Sequence, residues 1–247
     1  LTNTAQKLEL LASTGVDAVV VLSFTPEQSK EIPSDFVQRV IVDGLHASTV
    51  IVGSDFHFGH MRQGNVTLLR EMGERHDFTC EPVVLIERAD DIDEPVSSTA
   101  IRRALAGGEI ATAAKMLGHS YEVVGTVVTG DQRGRTIGFP TANLHINNEE
   151  KIIPSNGVYA VKVKGKCLGD TIYNGMMNIG IRPTVDGQKK VIEVHILDFD
   201  QDIYEQNLTV MVYEYIRGEV KFDGLEALKA QLAKDKITTA AILKKYQ

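Results

Sequence analysis

GDQRGRTIGFPTAN, residues Gly130 to Asn143, gathers phosphate-binding and metal-binding residue types into one turn-rich segment. Gly130, Gly134 and Gly138 let the backbone turn with positive φ and approach a ligand closely, while Arg133 and Arg135 bring fixed positive charge for anionic oxygens. Such a loop suits a polyphosphate. Phe139 and Pro140 lead out of it, Pro140 stiffening the exit. Thr141 and Asn143, two apart, then offer a hydroxyl and an amide carbonyl, hard oxygen ligands of the kind Mg²⁺ accepts when it also binds ATP phosphates. The same residue types build ordinary solvated hairpin turns. The fixed order of Gly, Arg, Pro, Thr and Asn favours a nucleotide loop with its metal over a plain turn.

Around that segment, 247 residues with 43% hydrophobic side chains can bury one large core or two modest ones, and the length favours two domains. No run reaches the roughly eighteen apolar residues of a membrane span. The opening LTNTAQKLELL reads as an amphipathic helix without the regions of a signal peptide, so the expected location is the cytoplasm, with no membrane partner. Cys80 and Cys167 are far apart and form no C-x-x-C pair, which points to reduced thiols rather than a disulfide. A net charge of −7 without basic tracts, and with no Trp, argues against a nucleic-acid partner. It does not argue against a small anionic substrate, because a metal, loop amides and two arginines neutralise phosphates locally. Nothing in the sequence sets the oligomeric state.

Residues 1–118 alternate helical and strand patterns: a helix near Thr4–Ser13, the strand AVVVLSF, a helix through PSDFVQRVIVDGL, the strand STVIVG, the helix NVTLLREMGERH, the strand FTCEPVVLI, and the helices SSTAIRRALAGG and EIATAAKMLG. Nearly all-apolar strands alternating with helices predict a doubly wound, Rossmann-like α/β unit with a parallel sheet. From Tyr121 the texture changes to YEVVGTVVTG, NGVYAVKVKG, TIYNGMMNIG, KVIEVHILDF and LTVMVYEYI, followed by the helices DGLEALKAQLAKD and TTAAILKKY. Five or six closely spaced strands predict an antiparallel β-barrel with a C-terminal helix against it, since a closed sheet leaves no costly edges. The boundary falls near Gly118–Ser120, giving domains 1–118 and 119–247.

Within VIEVHIL, period-two alternation puts Ile192, Val194 and Ile196 on one face and Val191, Glu193, His195 and Leu197 on the other. Glu193 is therefore not forced into the core. A carboxylate held on a barrel strand beside a nucleotide loop is a candidate general base for deprotonating a hydroxyl during phosphoryl transfer. An exposed strand Glu is also commonly a solvated residue, and a lone His195 more often satisfies a local hydrogen bond than does chemistry.

The order GRTIGFPTAN, NGVYA, NIGIRPT, EVHILDF and a closing R-x-x-x-K-F at Arg217, Lys221 and Phe222 resembles the riboflavin kinase family across the entire second domain. The resemblance implies a flavokinase barrel that uses Mg-ATP to phosphorylate the ribityl 5′-hydroxyl of riboflavin, giving FMN. It places Glu193 as the base, Thr141 and Asn143 at the Mg²⁺, and Gly130, Arg133, Gly134, Arg135, Gly138, Phe139, Pro140 and Thr141 around ATP. Arg217, Lys221 and Phe222 fall at the flavin. Arg217 also reads as an ion-pair residue, and Phe222 as the anchor of a helix that Asp223 caps.

In the first domain, GSDFHFGHMRQGN and SSTAIRR resemble the adenylyltransferase half of bifunctional bacterial riboflavin kinase/FAD synthetases, which join FMN to AMP to make FAD. Ser97, Ser98 and Thr99 are N-cap candidates, and exposed amides at that helix start with Arg102 one turn in suit the phosphates of ATP. That family begins with a strand and a glycine-rich turn carrying H-x-G-H, whereas this sequence opens on a helix. The HFGH at His57–His60 follows the second strand and reads as a coincidence. The expectation is an incomplete first domain, because a parallel sheet without its first βα unit leaves its apolar centre open. A kinase-only truncation and a catalytically inactive flavin- or nucleotide-binding module are the alternatives. An oligonucleotide-binding barrel would need basic and aromatic strand faces that these strands lack.

Overall fold

The computed structural model describes residues 1–83, 96–130, 133–148, 150–184 and 187–246. Two compact units emerge, Leu11–Ile92 and a larger one comprising Leu1–Leu10 with Asp93–Gln247.

In the smaller unit, β1 (Thr49–Gly53) pairs in parallel with β4 (Thr79–Val83), and a short antiparallel ribbon joins β2 (His57–Phe58) to β3 (Gly64–Asn65). The crossover between β1 and β4 carries α3 (Val66–His76), which starts where Asn65 Oδ1 accepts from the Leu68 amide at 3.0 Å. Leu69, Met72, Phe78, Cys80, Phe58 and Val37 form its core. The helix expected through PSDFVQRVIVDGL begins as one α-turn, α2 (Pro33–Phe36), and relaxes into a π-helix over Val37–Val42, a run whose β-branched side chains crowd an α-turn. AVVVLSF does not form the expected strand: it joins no ladder among the described residues, and Val19, Val20, Val21, Leu22 and Phe24 are exposed. Apolar character alone makes no strand without a neighbour to bond. The last residues of FTCEPVVLI lie outside the described residues.

In the larger unit six antiparallel strands close into a barrel in the order β10-β5-β6-β9-β8-β7. They are β5 (Tyr121–Val128), β6 (Ala142–His145), β7 (Gly157–Lys164), β8 (Tyr173–Thr184), β9 (Gly187–Ile196) and β10 (Asn207–Arg217). The inward-facing side chains of the strands form the barrel core. Val123 and Val127, Tyr159 and Val161, Met177 and Ile179, Val194, and Val210 and Val212 are all buried, at 2% exposure or less. Each such side chain contributes about 1.5–3 kcal/mol relative to solvent.

Outside the barrel, α4 (Ser98–Gly107) and α5 (Ile110–Leu117) pack on each other, and α5 lies against β5 and β10. α1 (Thr4–Ser13) is fixed through its Gln6, whose carbonyl accepts from Lys151 at 3.2 Å. β6 was not among the expected strands, because its residues sit inside the turn-like motif, which also contains one helical turn, α6 (Arg133–Thr136). The two expected C-terminal helices are one, α7 (Leu225–Leu243). Its N-cap is Gly224, at φ 136° with no side-chain cap, so Asp223 does not cap it. Among the described residues no helix is long and apolar enough to cross a membrane.

Candidate active site

Ladder register carries one row of residues across the barrel. Arg217 on β10 pairs with Val158 on β7, Val158 with Asn178 on β8, Asn178 with Glu193 on β9, and Glu193 with Asn143 on β6. Directly opposed residues share a face, and Val194 and Met177, next to Glu193 and Asn178, point inward. The row therefore lies on the outer surface. At about 4.8 Å per strand it runs for about 19 Å from Arg217 to Asn143.

α7 covers part of this row. Leu225, Leu228 and Leu232, at helical spacing, join Phe222 and Val220 over Val158, Met176, Asn178, Glu193 and His195 to enclose a cavity of about 400 Å³. Gly134, Phe139 and Thr141 complete its wall. This is the size and lining of a small-molecule site: a largely apolar slot with a few polar and charged groups in its wall.

The motif loop reaches the cavity by doubling back. The Phe139 amide donates to Gly134 O at 2.9 Å, and Gly134 has to be glycine because a Cβ there would run into the Phe139 carbonyl. Gly138 takes φ 80°, which favours glycine. His195 Nδ1–H then donates to Pro140 O at 2.7 Å, and the Phe139 ring meets the imidazole edge-on at 5.3 Å. Burial pushes the His195 pKa below its ordinary value, outweighing the opposing effect of the Pro140 carbonyl. At Gly130 the backbone passes so close to Asn143 that a Cβ would strike its amide.

Charge is arranged at both ends of the row. Arg182 on β8 reaches Glu193 at 3.7 Å. It lines the main cavity and also an adjoining one walled by Gly130, Asn143, Lys151 and Lys190. Burial lowers the Lys190 pKa; its ammonium donates to Pro154 O at 2.8 Å. At the far end Arg217 is committed: Nε donates to Asp235 Oδ1 at 3.0 Å, Nη2 to Oδ2 at 2.7 Å and Nη1 to Gly218 O at 2.9 Å. Its guanidinium also stands 5.8 Å from the centre of the Phe222 ring.

Thus Gly134, Phe139, Thr141, Glu193, Arg217 and Phe222 meet in one cavity. Arg135 and Pro140 line a neighbouring pocket that Thr141 shares, and Gly130 and Asn143 line the adjoining one. Gly138 lines none of the three, and Lys221 is exposed and outside them. The Arg133 side chain lies outside the described residues. Ser97 is an N-cap, its Oγ accepting from the Ala100 amide at 3.1 Å; Ser98, Thr99 and Arg102 follow on α4, and none of the four lines these three cavities.

Sequence reasoning gave no role to Asn178 or Arg182. Their signal was polarity on one face of a strand whose other face, Met177 and Ile179, is buried.

Asn143 pairs with Glu193 in the β6–β9 register and Thr141 lines the cavity that Glu193 lines; a hydroxyl and an amide oxygen are donors of a kind that could hold Mg²⁺. Among the described residues no group of three or more His, Cys, Asp or Glu side chains could hold a metal. His57 and His60 each meet a backbone carbonyl, Asp55 O at 2.7 Å and Ser29 O at 3.1 Å. Cys80 and Cys167 are free. The smaller unit has its own cavity of about 320 Å³, lined by Leu22, Phe24, Phe36, Phe58, Arg39 and Arg62 among others.

Residues 117–243 match the riboflavin kinase (flavokinase) family model, and residues 1–100 match the FAD synthetase model. A bifunctional riboflavin kinase/FMN adenylyltransferase of Haemophilus influenzae is 39% identical over 95% of this chain and 74% of its own length. The protein of that description in Listeria monocytogenes is 40% identical over 100% of this chain and 76% of its own. A Streptococcus pneumoniae crystal structure titled as a macrolide-efflux protein superposes with a TM-score of 0.85 at 32% identity, over 96% of this chain and 74% of that one.

Proposed function

Since the chain belongs to the family of bifunctional riboflavin kinase/FMN adenylyltransferases, we propose that the cross-strand row under α7 is its riboflavin kinase site, with Glu193 as general base. The reactions are phosphorylation of riboflavin by ATP to give FMN, and adenylylation of FMN by ATP to give FAD and pyrophosphate. One observation carries the assignment of the first: Glu193 and Thr141 open into a single cavity together with an apolar wall of Val158, Met176, Val220, Phe222, Leu228 and Leu232.

In this reading the isoalloxazine ring occupies the slot between α7 and the strands, against Phe222, Leu228 and Leu232. Arg217, held by Asp235, shapes that end. The ribityl chain runs along the row past Asn178 toward Glu193, which accepts the proton of the 5′-hydroxyl as oxygen attacks phosphorus. The motif loop borders the phosphates, with Arg135 on it and Arg182 between the two cavities. Thr141 and Asn143 would hold Mg²⁺, which supplies charge neutralisation on the phosphates. Catalysis here is mainly the holding of hydroxyl and phosphate in line.

Adenylylation is assigned to residues 1–118 and phosphorylation to 119–247, a division supported by the family-model spans. In the first part Ser97, Ser98, Thr99 and Arg102 are the proposed phosphate contacts, and the cytoplasm is the proposed location. Incubation with FMN and ATP tests that half by pyrophosphate release.

For the kinase, Glu193→Gln is expected to lower kcat by about 10²–10⁴-fold while leaving ATP affinity within twofold, because a base acts in the transition state. Wild-type turnover in that variant, assayed by FMN formation, would remove Glu193 from the mechanism. An inactive binding module is excluded by any magnesium-dependent conversion of riboflavin to FMN.

A further inference from the structure

The β6–β9 ladder pairs Leu144 with Ile192, Asn143 with Glu193 and Ala142 with Val194, and stops there. One more step would bring Thr141 opposite His195. The strand cannot take it because Pro140, just before, has no N–H and a fixed φ. The chain leaves the sheet at the residue proposed to meet the metal. Its last carbonyl, Pro140 O, still needs a donor, and at 2.7 Å that donor is the His195 ring.

We propose that His195 is a positioning residue for phosphoryl transfer: its Nδ1–H replaces the missing ladder bond and fixes the peptide plane that carries Thr141 into the nucleotide site. This rests on the assignment of the kinase site above. Pro140 C=O and Thr141 N–H belong to one rigid plane, so clamping the oxygen leaves only φ and χ1 of Thr141 to place its hydroxyl. The clamp itself is rigid. His195 is 9% exposed, its ring is held edge-on by Phe139, and its backbone pairs with Met176 on β8. It stands two residues from Glu193 on the same strand and faces the same cavity. One short piece of β9 therefore sets the base directly and the phosphate loop through a side chain, which ties the spacing of the two reacting groups to strand geometry.

His195→Ala, His195→Asn and His195→Gln distinguish this from plain packing. The Asn amide nitrogen falls where Nδ1 lies, whereas the Gln nitrogen falls nearer Nε2. His195→Ala is expected to raise KM for Mg-ATP or lower kcat by at least tenfold, with KM for riboflavin changed less than twofold, since a misplacement of about 1 Å costs on the order of 10²-fold. His195→Asn is expected to recover most of the loss and His195→Gln little of it. ATP affinity measured by calorimetry is expected to follow the same order. If Ala matches wild type, or Asn and Gln behave alike, the proposal is overturned. Should Ala fail to fold, the Asn–Gln contrast decides alone. Glu193→Gln assayed in parallel separates the two claims: full activity there sinks the site assignment, whereas a loss there with no Asn–Gln contrast sinks only the role of His195.

Discussion

Gly130 shows how a missing side chain does specific work. Its backbone lies against the Asn143 amide, and any Cβ would displace that amide. Gly130→Ala is therefore expected to weaken Mg-ATP binding by about tenfold or more with riboflavin binding preserved, read by titration calorimetry of each ligand. Arg182 is the converse case. Its ion pair with Glu193 is 3.7 Å long, and the arginine is 44% exposed, so it contributes at most about 1 kcal/mol to stability. Arg182→Ala is expected to leave the urea midpoint nearly unchanged and to slow turnover by raising KM for ATP. Glu193 was legible in the sequence because strand alternation frees it from the core. Asn178 and Arg182 were not, because a polar residue on a strand announces its face and not what lies opposite.

Among the elements, α7 carries a buried ion pair. Asp235 is 1% exposed, accepts from Arg217 at 2.7 Å and from Gln231 at 2.8 Å, and sits three residues beyond Leu232 of the cavity wall. Removing one partner of such a pair leaves the other charge without its counter-ion, a loss of about 3–5 kcal/mol. Asp235→Ala is accordingly expected to lower the unfolding free energy by that amount in denaturant titrations and to weaken riboflavin binding by loosening the wall. The hydrophobic stripe of α7 was visible as two helices; its continuity was not, because the charged run LAKDK between them reads as a break while Asp235 in fact faces inward. β6 was invisible for a related reason. A strand of four residues beginning just after a proline carries too little pattern to compete with the turn chemistry around it.

For the whole molecule, barrel class was readable because the strand-like runs follow one another closely, and such short Gly- and Asn-rich connections imply antiparallel pairing. That Leu1–Leu10 joins the barrel unit was not readable, since it is held there by Tyr121 and a buried lysine. The Lys151 ammonium donates to Leu1 O at 2.7 Å, lies 4.3 Å from the centre of the Tyr121 ring, and burial lowers its pKa to about 8. An unfolded lysine keeps its proton to about pH 10.4. Between those values the unfolded chain binds more protons, so this group makes stability rise with pH, by at most about 1.4 kcal/mol per pH unit for one proton. The comparison belongs between pH 8 and about 9.5, because buried Tyr121, with its pKa raised, acts in the opposite direction at higher pH. Lys151→Met is expected to flatten that rise relative to wild type in thermal unfolding; parallel curves would mean that the lysine is hydrated.

Because Arg217, Asn178, Glu193 and Asn143 are aligned by backbone pairing alone, the site can be destroyed without altering any of them. Deleting one residue from β9 ahead of Glu193 inverts the pleat, turning the carboxylate inward and Val194 out to solvent. β9 is thus as fixed in residue count as a reading frame, whereas β10 takes up extra residues opposite β7 in irregularities between Val212 and Glu214 and between Tyr215 and Arg217.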